Sequence, residues 1–336
     1  MRKMRAAVLR EFSRGIEIEE VAVPDPKPNQ VLVRILASGI CQTDLHTMTG
    51  VWDKKPVLPI ILGHEGAGVI EALGSKVEGF SLGQKVLIPW LGRTCRQCAC
   101  CKSGAENYCE KQLNTGYVIP GTHAEFTAAD SRSIAFLPND LDPIQAAPLA
   151  CAGLTAFEAI KQLKNAGKNS LLILGAGGLG HLAIQYALPI YARVAVIDQS
   201  KNRVEEAKVM GAEAYTVFEW EQLQENFGFD AALVFVPDIG AVHNAIRSLK
   251  NSGTLVVVGL GATRDLIVPW FELVARGICI KGSYVGPIAT LKEVIQIHQK
   301  LKAKVLVETR PLNDIQIALA DLAAGRNQCP RMVLVP

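Results

Sequence analysis

Five of the chain's nine cysteines crowd into one short stretch, Cys95-Arg-Gln-Cys98-Ala-Cys100-Cys101 followed by Cys109. Thiols at such fixed short spacings must either fold around a common point or leave reactive sulfur in water. Cys95, Cys98, Cys101 and Cys109 form a Cys-x2-Cys-x2-Cys-x7-Cys pattern. Four thiolates so spaced close a tetrahedron around zinc at ~2.3 Å each. Arg96, Lys102, Gly104 and Asn107 give the loop polarity and turn capacity. Cys101 is the expected third ligand and Cys100 the surplus thiol; a register through Cys100 shortens the second gap and lengthens the third. An odd cysteine count with no export signal argues against a disulfide framework. A closed four-Cys site is structural, because no position remains for a substrate, so catalytic chemistry must come from elsewhere.

Two further segments and one cysteine offer such chemistry: Gly39-Ile-Cys41-Gln-Thr43-Asp44-Leu-His46, Gly63-His64-Glu65-Gly66, and Cys151 in Pro148-Leu-Ala-Cys151-Ala-Gly153. Two thiolates and one imidazole make an open site with room for water or substrate. Each residue taken alone reads as an ordinary loop histidine or core cysteine, and spacing does not join them.

Residues 5–40 alternate apolar and polar positions between Pro24, Pro26 and Pro28, the pattern of short antiparallel strands. A glycine-punctuated β segment continues to about residue 137, with a helix expected only after Cys41. From Pro143 the character changes. Ile144–Leu163 has helical spacing in two pieces, and strand-like runs then alternate with helical ones: Ser170–Leu174, Val194–Ile197, Ala214–Phe218, Ala231–Val236, Thr254–Leu260 and Ile278–Val285. That alternation predicts an α/β unit with a doubly wound parallel sheet. A helix over Ala289–Lys302 and a closing strand over Met332–Val335 follow.

The turn Gly175-x-Gly177-x-x-Gly180 follows a strand and opens a helix, and Asp198 ends the next strand. That context is what a dinucleotide fingerprint requires. The first glycine makes the turn, the second admits a pyrophosphate, and the third packs helix on strand. A carboxylate at Asp198 accepts from ribose hydroxyls and repels a 2′-phosphate, which predicts NAD over NADP; Lys201 and Arg203 are nearby cations that work against this. Pro189 has no N–H, so the helix should end near Ala187.

The 336 residues exceed one ordinary core, and about two domains are expected. With 49% hydrophobic and 20% charged residues the chain is neither disordered, collagenous nor coiled coil. Its 35 basic against 32 acidic residues leave too little positive charge to make nucleic acid the main partner. The basic start Met1–Arg5 precedes an apolar stretch too short for a signal peptide. The uncharged run Asn169–Ala192 reads as strand, turn and helix rather than a membrane span. A soluble, cytoplasmic protein with no membrane partner is expected.

Taken together, and in order along essentially the whole chain, these motifs resemble the zinc-containing medium-chain alcohol dehydrogenases. The resemblance is nearest to the bacterial and yeast-type NAD-dependent, ethanol- or propanol-preferring enzymes. It implies a GroES-like, mostly-β catalytic domain over residues 1–151 with a metal lobe at about 92–112. A Rossmann coenzyme domain over 152–286 and a returning segment over 287–336 complete it. It implies a catalytic zinc on Cys41, His64 and Cys151 with Glu65 as a transient ligand, a structural zinc on the four-Cys lobe, and Asp44 on the far nitrogen of His64. It makes Thr43 and His46 a proton relay through the cofactor ribose, and Trp52 and Trp90 the walls of a pocket for small primary alcohols and their aldehydes. NAD contacts fall at Gly175, Gly177, Gly178, Leu179, Gly180, Asp198, Arg203, Val236, Gly259, Leu260 and Arg331, the last near the pyrophosphate. A homotetramer or homodimer is implied.

The chain departs from the family where Pro287-Ile-Ala-Thr290 follows Gly286, without the usual cofactor-contacting arginine, and where Ala187–Ala192 replaces the usual helix end and glycine turn. Competing readings are an NADP-dependent reductase of bulkier or aromatic aldehydes, a polyol dehydrogenase, and a non-catalytic zinc-stabilised nucleotide-binding module. Asp198 and the tryptophans argue against the first, Cys151 and the four-Cys lobe against the second, and Thr43 with His46 against the third.

Overall fold

A computed structural model of the chain describes residues 2–12, 14–223, 228–260 and 265–336; Met1, which opens the basic start, lies outside them. The chain divides into two compact units. One comprises Met1–Leu154, Gly286–Gln299 and Lys304–Pro336, the other Thr155–Val285 and Lys300–Ala303.

The first unit is built around the long strand Gln30–Ile40. Gly66–Leu73 runs antiparallel along one side of it, from Val31↔Leu73 to Ser38↔Gly66. Its other side is shared. Phe126–Asp130 pairs with Gln30–Arg34, and Arg331–Val335 takes over at Ser38–Ile40, with Ile40 opposite Met332. Lys85–Ile88 and Ala135–Phe136 extend the sheet beyond Gly66–Leu73. Apolar residues on one face, among them Val31, Val33, Ile35, Ile70 and Val86, form a buried cluster. A second sheet of Ile16–Ala22, Lys3–Leu9 and Ile60–Ile61 contributes Leu9 and Ile60 to another cluster, which also holds Ile40, Leu312 and Leu319. Alternation divides Lys3–Leu9 between two clusters, Ala7 and Leu9 on one face and Met4, Ala6 and Val8 on the other, so both faces of the strand are covered.

The second unit is a six-stranded, all-parallel sheet. Its order is Glu213–Thr216, Arg193–Asp198, Ser170–Leu174, Phe229–Val234, Leu249–Val257, Cys279–Gly282. Every residue of Ser170–Leu174 is buried, as a central parallel strand covered on both faces must be. The strand order reverses beside Ser170–Leu174, so the glycine-rich turn after it stands at the switch point where such sheets bind ligands. The uncharged run therefore resolves into strand, turn and the eight-residue helix Gly180–Ala187. That helix stops where Pro189 requires it to, and no helix among the described residues is long and apolar enough to cross a membrane.

Two stretches differ from the sequence reading. The strand expected over Ala214–Phe218 ends at Thr216, and Val217–Leu223 is helical. Thr216 and Glu219 form a reciprocal cap: the Thr216 N–H donates to Glu219 Oε2 at 2.7 Å, and the Glu219 N–H donates to Thr216 Oγ1 at 3.3 Å. The gap left between Lys302 and Met332 contains the strand Val307–Pro311, parallel to Arg331–Val335, and the helix Ile315–Ala323. That helix buries Ile315, Ala318 and Leu319, one face at helical spacing.

The helix Ile288–Leu301 buries Leu291, Val294, Ile295 and, on the same face, His298. Burial holds the His298 imidazole down at about 4, against 6.5 unperturbed. The unfolded chain thus takes up the proton first, and the fold loses stability as the pH falls from about 6.5 toward about 4. Chemical denaturation at pH 7.5 and pH 5 should show His298→Gln losing about 2 kcal/mol less than the wild-type chain over that interval. Equal losses would assign the acid sensitivity to other groups.

Candidate active site

Cys41 ends the strand Gln30–Ile40 and caps the helix Gln42–Thr49 in extended conformation. Asp44, three residues on, folds its carboxylate back so that Oδ2 accepts the Cys41 N–H at 2.8 Å. The sequence Cys-x-x-Asp thereby fixes both the sulfur and a carboxylate that is 1% exposed. His64 and Glu65 lie in the turn before Gly66–Leu73, and Cys151 follows the short 3-10 turn Ala147–Ala150. Gly39 sits under Glu65: a Cβ there would lie 2.0 Å from Glu65 Oε2, so no larger residue fits.

These elements bring donor atoms of Cys41, His64, Glu65 and Cys151 within 4.8 Å of one another, all buried. Tetrahedral edges between sulfur and nitrogen ligands of zinc are about 3.5–3.8 Å, so a small contraction suffices. His64 Nε2 and Glu65 Oε1 are buried and have no hydrogen-bond partner, and an orphaned imidazole nitrogen beside two sulfurs is what a metal would satisfy. The Cys41 thiol is drawn well below its ordinary range, first by its contact with Cys151 and then by His64, while its contact with Cys41 and burial push Cys151 up. Burial opposes charge on His64, but the Asp44 carboxylate and Cys41 outweigh it and raise the imidazole. His64 Nδ1 lies 3.5 Å from Asp44 Oδ1. Burial lifts Glu65 to about 7, against the pull of Arg331.

Arg331 pairs with the carboxylate of this site. It is 5% exposed, and one terminal nitrogen donates to Glu65 and to the Ile40 carbonyl. Its position on the strand beside Gln30–Ile40 forces this: Met332 pairs with Ile40, which sets Arg331 against the metal-site carboxylate.

The second donor group is Cys95, Cys98, Cys101 and Cys109, again within 4.8 Å of one another. This is the register that excludes Cys100. The Cys98 N–H points at Cys95 Sγ at 3.4 Å and the Cys95 N–H at Cys109 Sγ at 3.5 Å. Such N–H groups favour thiolate, and those of Gln97 and Cys98 draw Cys95 down to about 6.

Around the first group stands a cluster of rings. Trp90 lies 5.2 Å from His64 and Trp52 lies 5.1 Å from His46, centroid to centroid, and the two indoles are 6.4 Å apart. Tyr117, which the sequence reading did not select, lies 5.6 Å from each indole and donates its hydroxyl to the Lys54 carbonyl. Thr43 Oγ1 is 3.8 Å from Cys41 Sγ. His46 Nδ1 is buried without a partner, and burial lowers its pKa.

In the parallel-sheet unit, Gly175 takes φ +97°, and a Cβ on Gly180 would lie 1.8 Å from the Gly175 carbonyl. A Cβ on Gly177 would meet nothing within 4 Å, so protein packing does not require that glycine, whereas an approaching phosphate does. Gly178 and Leu179 complete the turn into the helix. Asp198 braces this turn: Oδ2 accepts the Ala176 N–H at 2.7 Å and Oδ1 the Ser200 N–H at 2.8 Å, and each oxygen keeps a second acceptor site. Arg203 forms an ion pair with Glu206 at 2.8 Å. Val236 lies against the Gly175 turn, while Gly259 and the half-exposed Leu260 follow Leu249–Val257.

The alcohol dehydrogenase GroES-like domain model matches residues 27–139, and the zinc-binding dehydrogenase model matches residues 178–300. An alcohol dehydrogenase of Geobacillus stearothermophilus is 37% identical over 328 residues, 96% of each chain. The solved alcohol dehydrogenase of the archaeon Aeropyrum pernix is 32% identical with a TM-score of 0.90, over 99% of this chain and all of that one. A cobalt- and zinc-bound thermostable alcohol dehydrogenase from Pyrobaculum aerophilum is 25% identical, with a TM-score of 0.88 over the full length of both. The chain belongs to the zinc-containing medium-chain alcohol dehydrogenases. Its two units are that family's GroES-like and Rossmann domains, and it is a zinc-dependent alcohol dehydrogenase.

If Cys41, His64 and Cys151 hold one metal ion and the four-Cys lobe another, Cys151→Ser should leave a folded chain carrying one zinc instead of two, without alcohol oxidation. Metal analysis, circular dichroism and a turnover assay check this together, and an active variant with two zinc ions would refute the assignment.

Proposed function

We propose that this chain catalyses the reversible oxidation of small primary alcohols to aldehydes, with hydride passing to NAD. One zinc is held by Cys41, His64 and Cys151 and a second by Cys95, Cys98, Cys101 and Cys109. The observation that carries the reading is the convergence of two buried sulfurs on the unpartnered Nε2 of His64. When bound there, zinc supplies Lewis acidity that lowers the pKa of an alcohol hydroxyl toward neutrality.

The chain's own residues do the rest. Asp44 holds the His64 ring from its far side. Glu65, kept close by Arg331, is a carboxylate able to take a ligand position during exchange. Thr43 carries a hydroxyl that both donates and accepts, suited to passing the alcohol proton onward. His46, neutral at pH 7 because burial lowers its pKa, is suited to receive it. Trp52 and Trp90, with Tyr117 bracing both, narrow the space near His64 and favour short unbranched substrates over bulky aromatic ones. Preference for NAD is supported by Asp198 at the end of its strand and by the Arg203–Glu206 pair, which withdraws a cation from any 2′-phosphate.

Assembly as a homotetramer or homodimer is part of the same reading. It is supported by Trp270 and Phe271, each 80% exposed, with Ile267 and Val274 exposed beside them, and by the edge strand Cys279–Gly282. Placement in the reducing cytoplasm is supported by nine free thiols.

Steady-state kinetics with ethanol, 1-butanol, 2-propanol and cinnamyl alcohol, each with both nicotinamides, tests the whole proposal; a preference for cinnamyl alcohol with NADP would reverse it. Asp198→Gly should relax the preference for NAD by about 10- to 100-fold, the worth of hydrogen bonds to a charged group. An unchanged ratio places discrimination elsewhere. His46→Gln should slow turnover by at least about 10-fold at pH 7 and less at pH 9, where hydroxide takes the proton directly. Identical pH profiles for variant and wild type would remove His46 from the relay.

A further inference from the structure

One fully buried titratable side chain has no part in the mechanism above. His123 is 0% exposed, in the loop before Phe126–Asp130. Its Nδ1 lies 2.8 Å from Ser38 Oγ, and Ser38 Oγ lies 2.7 Å from Thr122 Oγ1. Its Nε2 has no hydrogen-bond partner and faces Asp44 Oδ1 at 3.7 Å. That same oxygen is the one 3.5 Å from His64 Nδ1. Asp44 thus stands with one oxygen between two imidazoles and the other on the Cys41 N–H.

The backbone ties this arrangement to the metal-ligand loop. The His123 N–H donates to the Leu62 carbonyl at 2.9 Å, and the Thr122 N–H to the Gly63 carbonyl at 3.0 Å. Gly63, at φ +92°, has no Cβ because one would lie 2.5 Å from His123 Nδ1. The imidazole fills the space directly behind the residue preceding His64.

The carboxylate decides the tautomer. A neutral imidazole has one donor nitrogen and one acceptor. Facing Asp44 Oδ1, Nε2 carries the proton of His123, which leaves Nδ1 to accept from the Ser38 hydroxyl. The opposite tautomer would aim a lone pair at a carboxylate that is 1% exposed. A carboxylate so deeply buried needs every donor within reach.

We propose that His123 is a positioning residue of the metal site: donating from Nε2, it holds Asp44 Oδ1 between two imidazoles and so fixes the His64 ring that presents Nε2 to the metal. This rests on the reading that Cys41, His64 and Cys151 hold a zinc ion. With His123 absent, Asp44 is free to turn about its remaining contacts, and His64 loses its fixed orientation.

The test uses the full-length zinc-loaded protein. Histidine labelled with 15N should show His123 protonated at Nε2 and bare at Nδ1; a proton on Nδ1 overturns the proposal without any variant. H123F keeps a ring of similar size but removes both nitrogens, whereas H123Q keeps an N–H directed at Asp44. H123F should release one of its two zinc ions to a chelator about 10-fold faster than wild type, as loss of an outer-shell partner does. Cobalt substituted at that site should show an altered d–d spectrum. H123Q should stay within about 2-fold of wild type, since it preserves the donor. Unchanged release from H123F, or equal loss from H123F and H123Q, overturns the proposal, the second outcome reducing His123 to packing. If H123F does not fold, the 15N tautomer of the wild-type chain carries the test alone: Nε2–H upholds the proposal and a bare Nε2 overturns it. A wild-type chain that binds a single zinc overturns the underlying reading and this proposal together; two zinc ions with unchanged release from H123F overturns this proposal alone.

Discussion

The site depends on one buried negative charge. Asp44 has almost no contact with water, and an isolated carboxylate there would cost several kcal/mol. It persists because three donors face it: the Cys41 N–H, His64 and His123. Burial works against the charge, but the two imidazoles, His64 first, pull the carboxyl well below the ordinary carboxylate range. The consequence is mutual. The charge that needs these groups also holds them, and so locks the end of the strand Gln30–Ile40, the turn before Gly66 and the loop before Phe126 to one point. Thiol and imidazole donors from distant parts of the chain meet because a carboxylate between them leaves little freedom to be elsewhere.

A second buried pair, Glu65 with Arg331, gives the site its opposite wall. Here the logic is of balance rather than locking. Burial lifts the carboxyl to about 7 while the guanidinium restrains it. Gly39 makes room for it and the Ile40 carbonyl takes part of the arginine's donor capacity.

What could be read from the residues alone followed the range of the interaction. The four-Cys lobe was legible because ligation within fifteen residues is a local matter, and the geometry groups the expected Cys101 rather than Cys100. The glycine turn and the helix end at Ala187 were legible because backbone sterics act within a few residues. Cys41, His64 and Cys151 were not joined by spacing at all, since the strands that bring them together pair across long stretches of chain; the family pattern supplied that link. His123 gave no signal, being a lone histidine whose meaning comes from a carboxylate 79 positions earlier. The contact of Arg331 with Glu65 gave no signal in the sequence either, since it follows from strand pairing beside Gln30–Ile40. The Thr216–Glu219 cap is a plain local signal that the apolar residues Val217 and Phe218 overshadowed.

The strand Arg331–Val335 seats beside Gln30–Ile40 in the first unit's central sheet, and Arg331 stands 291 positions after Ile40. Arg331–Val335 seats itself beside Gln30–Ile40 only after the intervening parallel sheet has been made, and that sheet is nearly continuous in sequence. During synthesis the inserted unit has all its strands in hand while the earlier one still lacks an edge. Glu65 therefore waits for its guanidinium partner until a further 266 residues have been made, and this pocket closes only behind the inserted unit.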